Sequence, residues 1–225
     1  MFPINVNLQG RTVLLIGAGR VGRRKLAKLL DSGALVRLVE PSPAEEVSAL
    51  AASGRVELAA ELRPEHFNGV SFVFAASDQN TVNRAAAEEA KLRGIWVNVA
   101  DDPDFSDFTL PALVEQGDLL LAVSTHGASP ALAAVVATEL RSHFGPEYRL
   151  LTRLLASLRP VILSSGLDEE KRKNMFRQLA ESKMLRELLA KGRTDAALTL
   201  LERLAAPVDL SGFDLNSCLS AADKL

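Results

Sequence analysis

The sequence predicts an α/β fold, a parallel sheet with helical crossovers followed by a helical carboxy-terminal region. Three observations carry this. Apolar runs at residues 13–16, 34–39, 70–76 and 95–99 read as strands buried on both faces, as parallel strands are. Helix-period segments separate them, which makes the connections right-handed crossovers. From residue 148 onward the pattern is helical, punctuated by Pro160, Gly166, Gly192 and Pro207.

Taken in order, residues 2–8 alternate loosely and contain Pro3, so they read as an edge strand or an extended arm. Gln9-Gly10 turns the chain into the first central strand. That strand ends in Gly17-Ala18-Gly19-Arg20-Val21-Gly22, and a helix follows with Leu26, Leu29 and Leu30 on one side. Arg23, Arg24, Lys25 and Lys28 are expected on the other, as a solvated face with Arg20 closest to the turn. Strand, glycine turn and helix together are the Rossmann-type dinucleotide fingerprint. Gly17 permits the tight turn, Gly19 lets backbone approach a pyrophosphate, and Gly22 lets the helix pack on the strand. The helix N-terminus favours the phosphate charge. Gly33 suits the left-handed position that ends the helix. The second strand ends in Glu40, 18 residues after Gly22. An acid there accepts hydrogen bonds from an adenosine ribose and repels a 2′-phosphate, which favours NAD over NADP, although Arg20 and Arg37 soften that preference. The other reading of Glu40 is a solvated acid at a strand end.

Residues 44–52 read as a short helix and 56–58 as a short strand. The 70–76 strand ends in Ala75-Ala76-Ser77-Asp78, where small residues let a cofactor pass, with Asp78 a candidate cap for a helix over 82–93. After the 95–99 strand come Ala100-Asp101-Asp102-Pro103. Residues 105–113 read as a short strand or loop, and 118–124 as a clear strand. Ser129 and Pro130 then open a helix over 130–142 as N-cap and first residue. The tail's apolar stripes (Leu150, Leu154, Leu158; Met175, Leu179; Leu185, Leu188, Leu189) must pack on their own domain or join two subunits.

The chain has 225 residues, 48% of them hydrophobic, and a net charge of −2, which gives no global case for nucleic acid or an anionic membrane surface. Its one cysteine, Cys218, rules out an intrachain disulfide framework. The first residues lack a signal-peptide pattern, and no apolar run reaches the roughly 18 residues of a membrane span. The expectation is a soluble, cytoplasmic protein.

Several stretches together resemble one family. FPINVNLQGRTVLLIGAGRVGRRKLAKLL, FVFAASDQNTVNRAAAEEA, VNVADDPDFSDFTLPALVEQGDLLLAVSTHGASPALA and LRPVILSSG with RKNMFRQL are similar to the dehydrogenase/ferrochelatase module of the siroheme synthase family. The resemblance covers essentially the whole chain. Its most specific parts are the Asn-Val-x-Asp-x-Pro stretch and the Val-Ser-x-x-Gly-x-Ser-Pro turn. It implies a Rossmann-type NAD-binding domain at residues 1–113, a central dimerisation region at 114–147 and a small helical C-terminal domain at 148–225. It further implies a homodimer. The implied activity is NAD-dependent oxidation of precorrin-2 to sirohydrochlorin, with insertion of Fe2+ as a substrate to give siroheme. No methyltransferase segment accompanies the module, which implies a separate methyltransferase upstream.

In the resemblance Asp101 matches the catalytic aspartate. Oxidation releases a hydride and a proton, and metal insertion displaces pyrrole N–H protons, so both steps use a carboxylate that accepts protons. Asp102 stands next to it as a possible substitute, and a plain turn acid before Pro103 is the other reading of both. The expected cofactor contacts are Gly17, Ala18, Gly19, Arg20, Val21, Gly22, Glu40, Ala76, Ser77 and Asn98. The expected substrate contacts are Ser124, Thr125, His126 and Gly127, a hydroxyl-rich turn before a helix N-terminus that suits the carboxylates of a tetrapyrrole. A capped turn with a solvent-facing histidine is their alternative. No metal-ligand spacing is visible, since His126 has no second His or Cys near it. Two other functions stay open: a dehydrogenase without chelatase activity, and an NAD-sensing module without chemistry.

Overall fold

The computed structural model describes residues 1–220. It contains two compact units, Met1–Leu110 and the chain from Pro111 onward. In the first, β1 (Thr12–Ile16), β2 (Leu35–Val39), β3 (Val56–Ala59), β4 (Phe72–Ala75) and β5 (Trp96–Val99) form one parallel sheet in the order β3-β2-β1-β4-β5. The crossover helices are α1 (Arg20–Asp31), α2 (Glu45–Ala52) and α3 (Asn80–Leu92). β1 shows why its run is apolar throughout. Val13 and Leu15 pack with Leu26 and Leu29 of α1 and Val47 of α2, whereas Leu14 and Ile16 pack with Ala86, Ala87 and Ala90 of α3. Burying each large side chain contributes about 1.5–3 kcal/mol, so neither face tolerates a polar residue.

The strand order reverses between β1 and β4. Their following helices leave toward opposite faces of the sheet, which opens a crevice at the carboxyl ends of these two strands. Gly33 ends α1 at φ +73°, as expected.

Of the two readings of the first residues the arm holds, and two other local expectations change. Residues 2–7 form no strand and are an exposed arm. α3 begins at Asn80, earlier than expected, and its N-cap is Gln79 with no side-chain bond. Asp78 therefore does not cap it. Ser77 bends the chain there, its Oγ accepting the Gln79 N–H at 3.0 Å. After a 3-10 turn at Pro103–Phe105 the chain is irregular until β6 (Ala112–Gln116), a strand that lies mostly beyond the 105–113 stretch read as strand or loop. Its polar end, Glu115-Gln116, hides the alternation, and antiparallel pairing of Val114 with Leu121 is what completes it.

In the second unit β6 pairs with β7 (Leu119–Val123) across Gly117-Asp118. α4 (Pro130–His143) packs against both strands. Then follow α5 (Glu147–Leu163), α6 (Glu169–Glu181), α7 (Lys183–Ala190), α8 (Thr194–Leu204) and α9 (Leu215–Ser220). The apolar stripes meet one another: Leu154, Leu158, Met175, Leu179, Leu185 and Leu189 share one core with Leu201. Pro160 does not end α5, which continues to Leu163. Leu158 and Ile162, on either side of it, are fully buried, and that packing outweighs the helix bond the proline lacks.

Candidate functional site

The glycine turn is built by close contacts that only glycine allows. Gly17 sits at φ +89°, and a Cβ there would lie 2.6 Å from the Ala76 carbonyl oxygen and the Ser77 nitrogen. Gly22 lies against the Gly17 carbonyl, with no space for a Cβ. Gly19 differs: nothing lies within 4 Å of a Cβ built on it, and it caps α1 with no side chain. The first-turn N–H groups, from Arg20, Val21 and Gly22, thus start beneath an open backbone surface, as a pyrophosphate requires. The residues present fit a dinucleotide.

Glu40, at the end of β2, reaches this turn. Its Oε2 accepts the Ala18 N–H at 2.6 Å and its Oε1 accepts the Ser42 N–H at 3.0 Å. Arg37 is turned to Glu57 at 2.9 Å and to the His66 carbonyl at 2.7 Å. Arg20 is exposed at the mouth of the turn, and Arg23 pairs with Glu46 at 2.6 Å. On the other side of the crevice, the loop holding Ala76 and Ser77 is shaped by a residue that sequence reasoning missed. Buried Asn83 accepts the Ser77 N–H at 3.0 Å and donates to the Ser77 carbonyl at 2.9 Å.

Asp101 follows β5 at φ +60°. It is exposed, and its carboxylate makes no hydrogen bond or ion pair with any described residue. Asp102 is not its equivalent, because Arg84 holds it at 3.2 Å. The Asp101 turn is stitched down behind. Ser106 Oγ accepts the Val99 N–H at 2.9 Å and lies 2.9 Å from the Asp102 carbonyl, to which it donates. Asp107 accepts the Val97 N–H at 2.9 Å and its own N–H returns to the Val97 carbonyl at 2.8 Å. A backbone held in the left-handed region by such bracing is stored strain.

Asn98 is buried and committed at both ends. Its Nδ2 donates to the Phe108 carbonyl at 2.9 Å, and its Oδ1 accepts from Lys25 Nζ at 2.9 Å. Its side chain thereby ties α1 to β5. Lys25 is a correction. It is not on a solvated face but half-buried, with Nζ 5.6 Å from the centroid of the Phe74 ring. Burial foremost, and then the charge of Arg24, lower its pKa from 10.5 to about 8, while the negative charge of Asp101 acts the other way. The signal was present: Gly22, Lys25, Leu26 and Leu29 have the i, i+3, i+4, i+7 spacing of one helix face.

In the second unit Ser124, Thr125, His126 and Gly127 form the turn before α4. Thr125 Oγ1 donates to the Ser129 carbonyl and accepts the Ser129 N–H, both at 3.0 Å. Ser129 caps the helix as expected, accepting the Leu132 N–H at 3.1 Å. Ser124 Oγ accepts the His126 N–H at 3.2 Å. His126, at φ +53°, and Gly127, at φ +86°, are exposed. Among the described residues Asp101 and His126 are the non-glycine residues with positive φ.

A profile of NAD(P)-binding domains matches residues 4–112. Siroheme synthase 1 of Aeromonas salmonicida is 33% identical over 205 residues, which are 91% of this chain and 44% of that protein. The siroheme synthase of Methylococcus capsulatus is 35% identical over 202 residues, 89% of this chain and 42% of that protein. This chain belongs to the siroheme synthase family, matching its amino-terminal part. It spans less than half the length of these curated relatives. A solved structure named SirC, precorrin-2 dehydrogenase, is similar to it with a TM-score of 0.72 at 26% identity, covering 90% of this chain and 100% of that one. Residues 4–112 are accordingly an NAD(P)-binding domain. No described helix is long and apolar enough to cross a membrane.

Proposed function

We propose that this chain is an NAD-dependent precorrin-2 dehydrogenase, yielding sirohydrochlorin, and that the same site inserts Fe2+ as a substrate. The supporting observation is Asp101: an exposed carboxylate with no hydrogen-bond partner, on a strained turn in the NAD(P)-binding unit of a chain similar to SirC. Bound NAD+ supplies the hydride acceptor. Gly19 and the first turn of α1, from Arg20 to Gly22, hold the pyrophosphate, with Ala18 bracing Glu40. Glu40 takes a ribose hydroxyl and sets its charge against a 2′-phosphate, so the cofactor is NAD rather than NADP. Ala76 and Ser77 border the path toward Asp101.

The macrocycle loses a hydride and a proton, and Asp101 accepts the proton. In metal insertion Fe2+ would replace two pyrrole N–H protons, of which Asp101 receives one and the other passes to solvent. Ser124, Thr125, His126 and Gly127 contribute N–H and O–H donors for substrate carboxylates, through the Ser124 hydroxyl and backbone, since Thr125 Oγ1 is already engaged with Ser129. Residues 114–147 would serve as a dimerisation region and those from 148 onward as a helical domain in a homodimer.

The test is to mix protein, NAD+ and precorrin-2 and record the appearance of sirohydrochlorin absorbance, then add Fe2+. NAD+ binding without turnover would make the chain a sensor. A second reading, oxidation without metal insertion, is favoured by the full-length match to a protein named only as a dehydrogenase. Turnover in the first stage with no siroheme in the second would select it.

A further inference from the structure

β5 is the edge strand of its sheet, so the outward backbone groups of Val97 and Val99 have no neighbouring strand to bond. Asp107 holds Val97, through its carboxylate and its own N–H. Ser106 does more. Its Oγ accepts the Val99 N–H at 2.9 Å and donates across the turn to the Asp102 carbonyl at 2.9 Å, with the Val99 carbonyl 3.2 Å away. One half-buried hydroxyl thus ties the last residue of β5 to the residue after Asp101. The backbone alone closes this turn loosely, with the Asp102 nitrogen 3.5 Å from the Val99 carbonyl oxygen. Nor does Asp101 brace itself. Its φ of +60° lies in the region that disfavours a side chain. Pro103, two residues on, lacks the N–H that an Asx turn would use.

We infer that Ser106 is a positioning residue of the Asp101 site: its hydroxyl clamps the end of β5 to the Asp102 carbonyl and so holds Asp101 in the left-handed conformation that aims its carboxylate. This rests on the functional reading above, in which Asp101 receives the protons. No atom of Ser106 reacts; it acts through the backbone on either side of Asp101. An aspartate released from the left-handed region relaxes to a negative φ, and the change of sign re-aims its side chain. An alanine methyl at position 106 offers neither donor nor acceptor, so the Val99 N–H and the Asp102 carbonyl would both lose their shared partner. A threonine keeps the hydroxyl and, with it, the clamp.

The experiment has two arms on the full chain. In the first, Asp101 is observed by NMR in isotope-labelled protein without cofactor. A positive φ brings a residue's own N–H and Hα together, so wild type should show a strong intraresidue NOE at Asp101. Ser106→Ala should weaken it as the turn relaxes, and Ser106→Thr should retain it. In the second arm, precorrin-2 oxidation is measured. Ser106→Ala should lower kcat about three- to tenfold, the scale of one lost hydrogen bond, with the KM for NAD+ unchanged. Ser106→Thr should restore kcat. In protein already carrying Asp101→Ala, Ser106→Ala should lower kcat no further, because the group it positions is gone. A strong Asp101 NOE kept in Ser106→Ala overturns the inference whatever the assay shows. So does a Ser106→Ala variant with wild-type kcat, with weakened NAD+ binding or with the same loss in the Asp101→Ala background, and so does a Ser106→Thr variant that behaves as Ser106→Ala. A weakened NOE in a protein that never oxidises precorrin-2 leaves the clamp standing and overturns the functional reading instead.

Discussion

Glu40 Oε2 accepts the Ala18 N–H at 2.6 Å, so the acid at the end of β2 and the glycine turn after β1 are one rigid unit. A carboxylate fixed by two backbone donors, Ala18 and Ser42, presents its remaining lone pairs in a set direction. Glu40→Ala should therefore weaken NAD+ binding by about 10- to 100-fold, the range for a lost hydrogen bond to a charged group. NADP+ binding should fall far less, because the repulsion of its 2′-phosphate is relieved. Calorimetric titration of both nucleotides against both proteins checks this; equal losses for the two would remove Glu40 from the ribose site.

Gly19 and Gly22 should separate folding from binding. A Cβ at Gly22 meets the Gly17 carbonyl, which is backbone and cannot step aside. Gly22→Ala should cost about 1–3 kcal/mol of stability and abolish nucleotide binding. Gly19 has φ −65° and open space above it. Gly19→Ala should leave the melting temperature within about 2 °C of wild type, as a strain-free substitution does, yet weaken NAD+ binding. Thermal melts with and without NAD+ read both effects at once.

Asp101→Ala should bind NAD+ normally and lose metal insertion. Oxidation survives in part if the hydride acceptor and geometry carry most of that step. Asp101→Gly should in addition raise stability by up to about 1 kcal/mol, since glycine accepts the φ of +60° without strain. Asp102→Ala removes a partly exposed pair with Arg84 and should cost less than about 1 kcal/mol, with NAD+ binding kept. Siroheme formation on a sirohydrochlorin and Fe2+ mixture distinguishes the two aspartates; normal insertion by Asp101→Ala would exclude it from the chemistry.

Lys25 predicts a stability change with pH. Its folded pKa, about 8, lies below the unfolded value of 10.5, so between these limits the unfolded chain holds more protons and folding becomes more favourable as pH rises. Below pH 8 the full penalty applies, about 1–2 kcal/mol once the screening of a half-exposed group is allowed for. Lys25→Met removes it but leaves Asn98 Oδ1 unpaired, at a cost of about 1–3 kcal/mol. The absolute shift at pH 7 is thus small. The stability of Lys25→Met relative to wild type should decline from pH 7.5 to about pH 10.5. Urea melts across that range measure it, and a constant difference would place Lys25 in water.

The stretch from Thr12 to Gly22 was legible because its requirements are local. A doubly buried strand must be apolar, and a turn that touches a neighbouring backbone must be glycine. Asp101 was singled out by its place just past a parallel strand and by the family resemblance, since Asp-Asp-Pro by itself is an ordinary turn. What separates Asp101 from Asp102 is Arg84, which reaches Asp102 from α3. Lys25 was misread because charge was taken to mean solvent, when its spacing from Gly22 and Leu26 placed it on the inward face. Asn83 and Ser106 left no sequence signal: their partners, Ser77, Val99 and Asp102, are backbone groups, and any polar loop residue looks the same before the loop is folded.

The sequence by itself determined the parallel sheet, the glycine cradle with its acid at Glu40 and the helical tail, because periodicity and chain reversal act over a few neighbouring residues. Tertiary structure decided which charged groups are engaged and which stand unpaired. The environment of Lys25 is made by Asn98, far along the chain on β5, and the isolation of Asp101 by the bracing of Ser106 and Asp107. Burial and field at a point depend on everything packed around it, and only the folded chain brings those groups together.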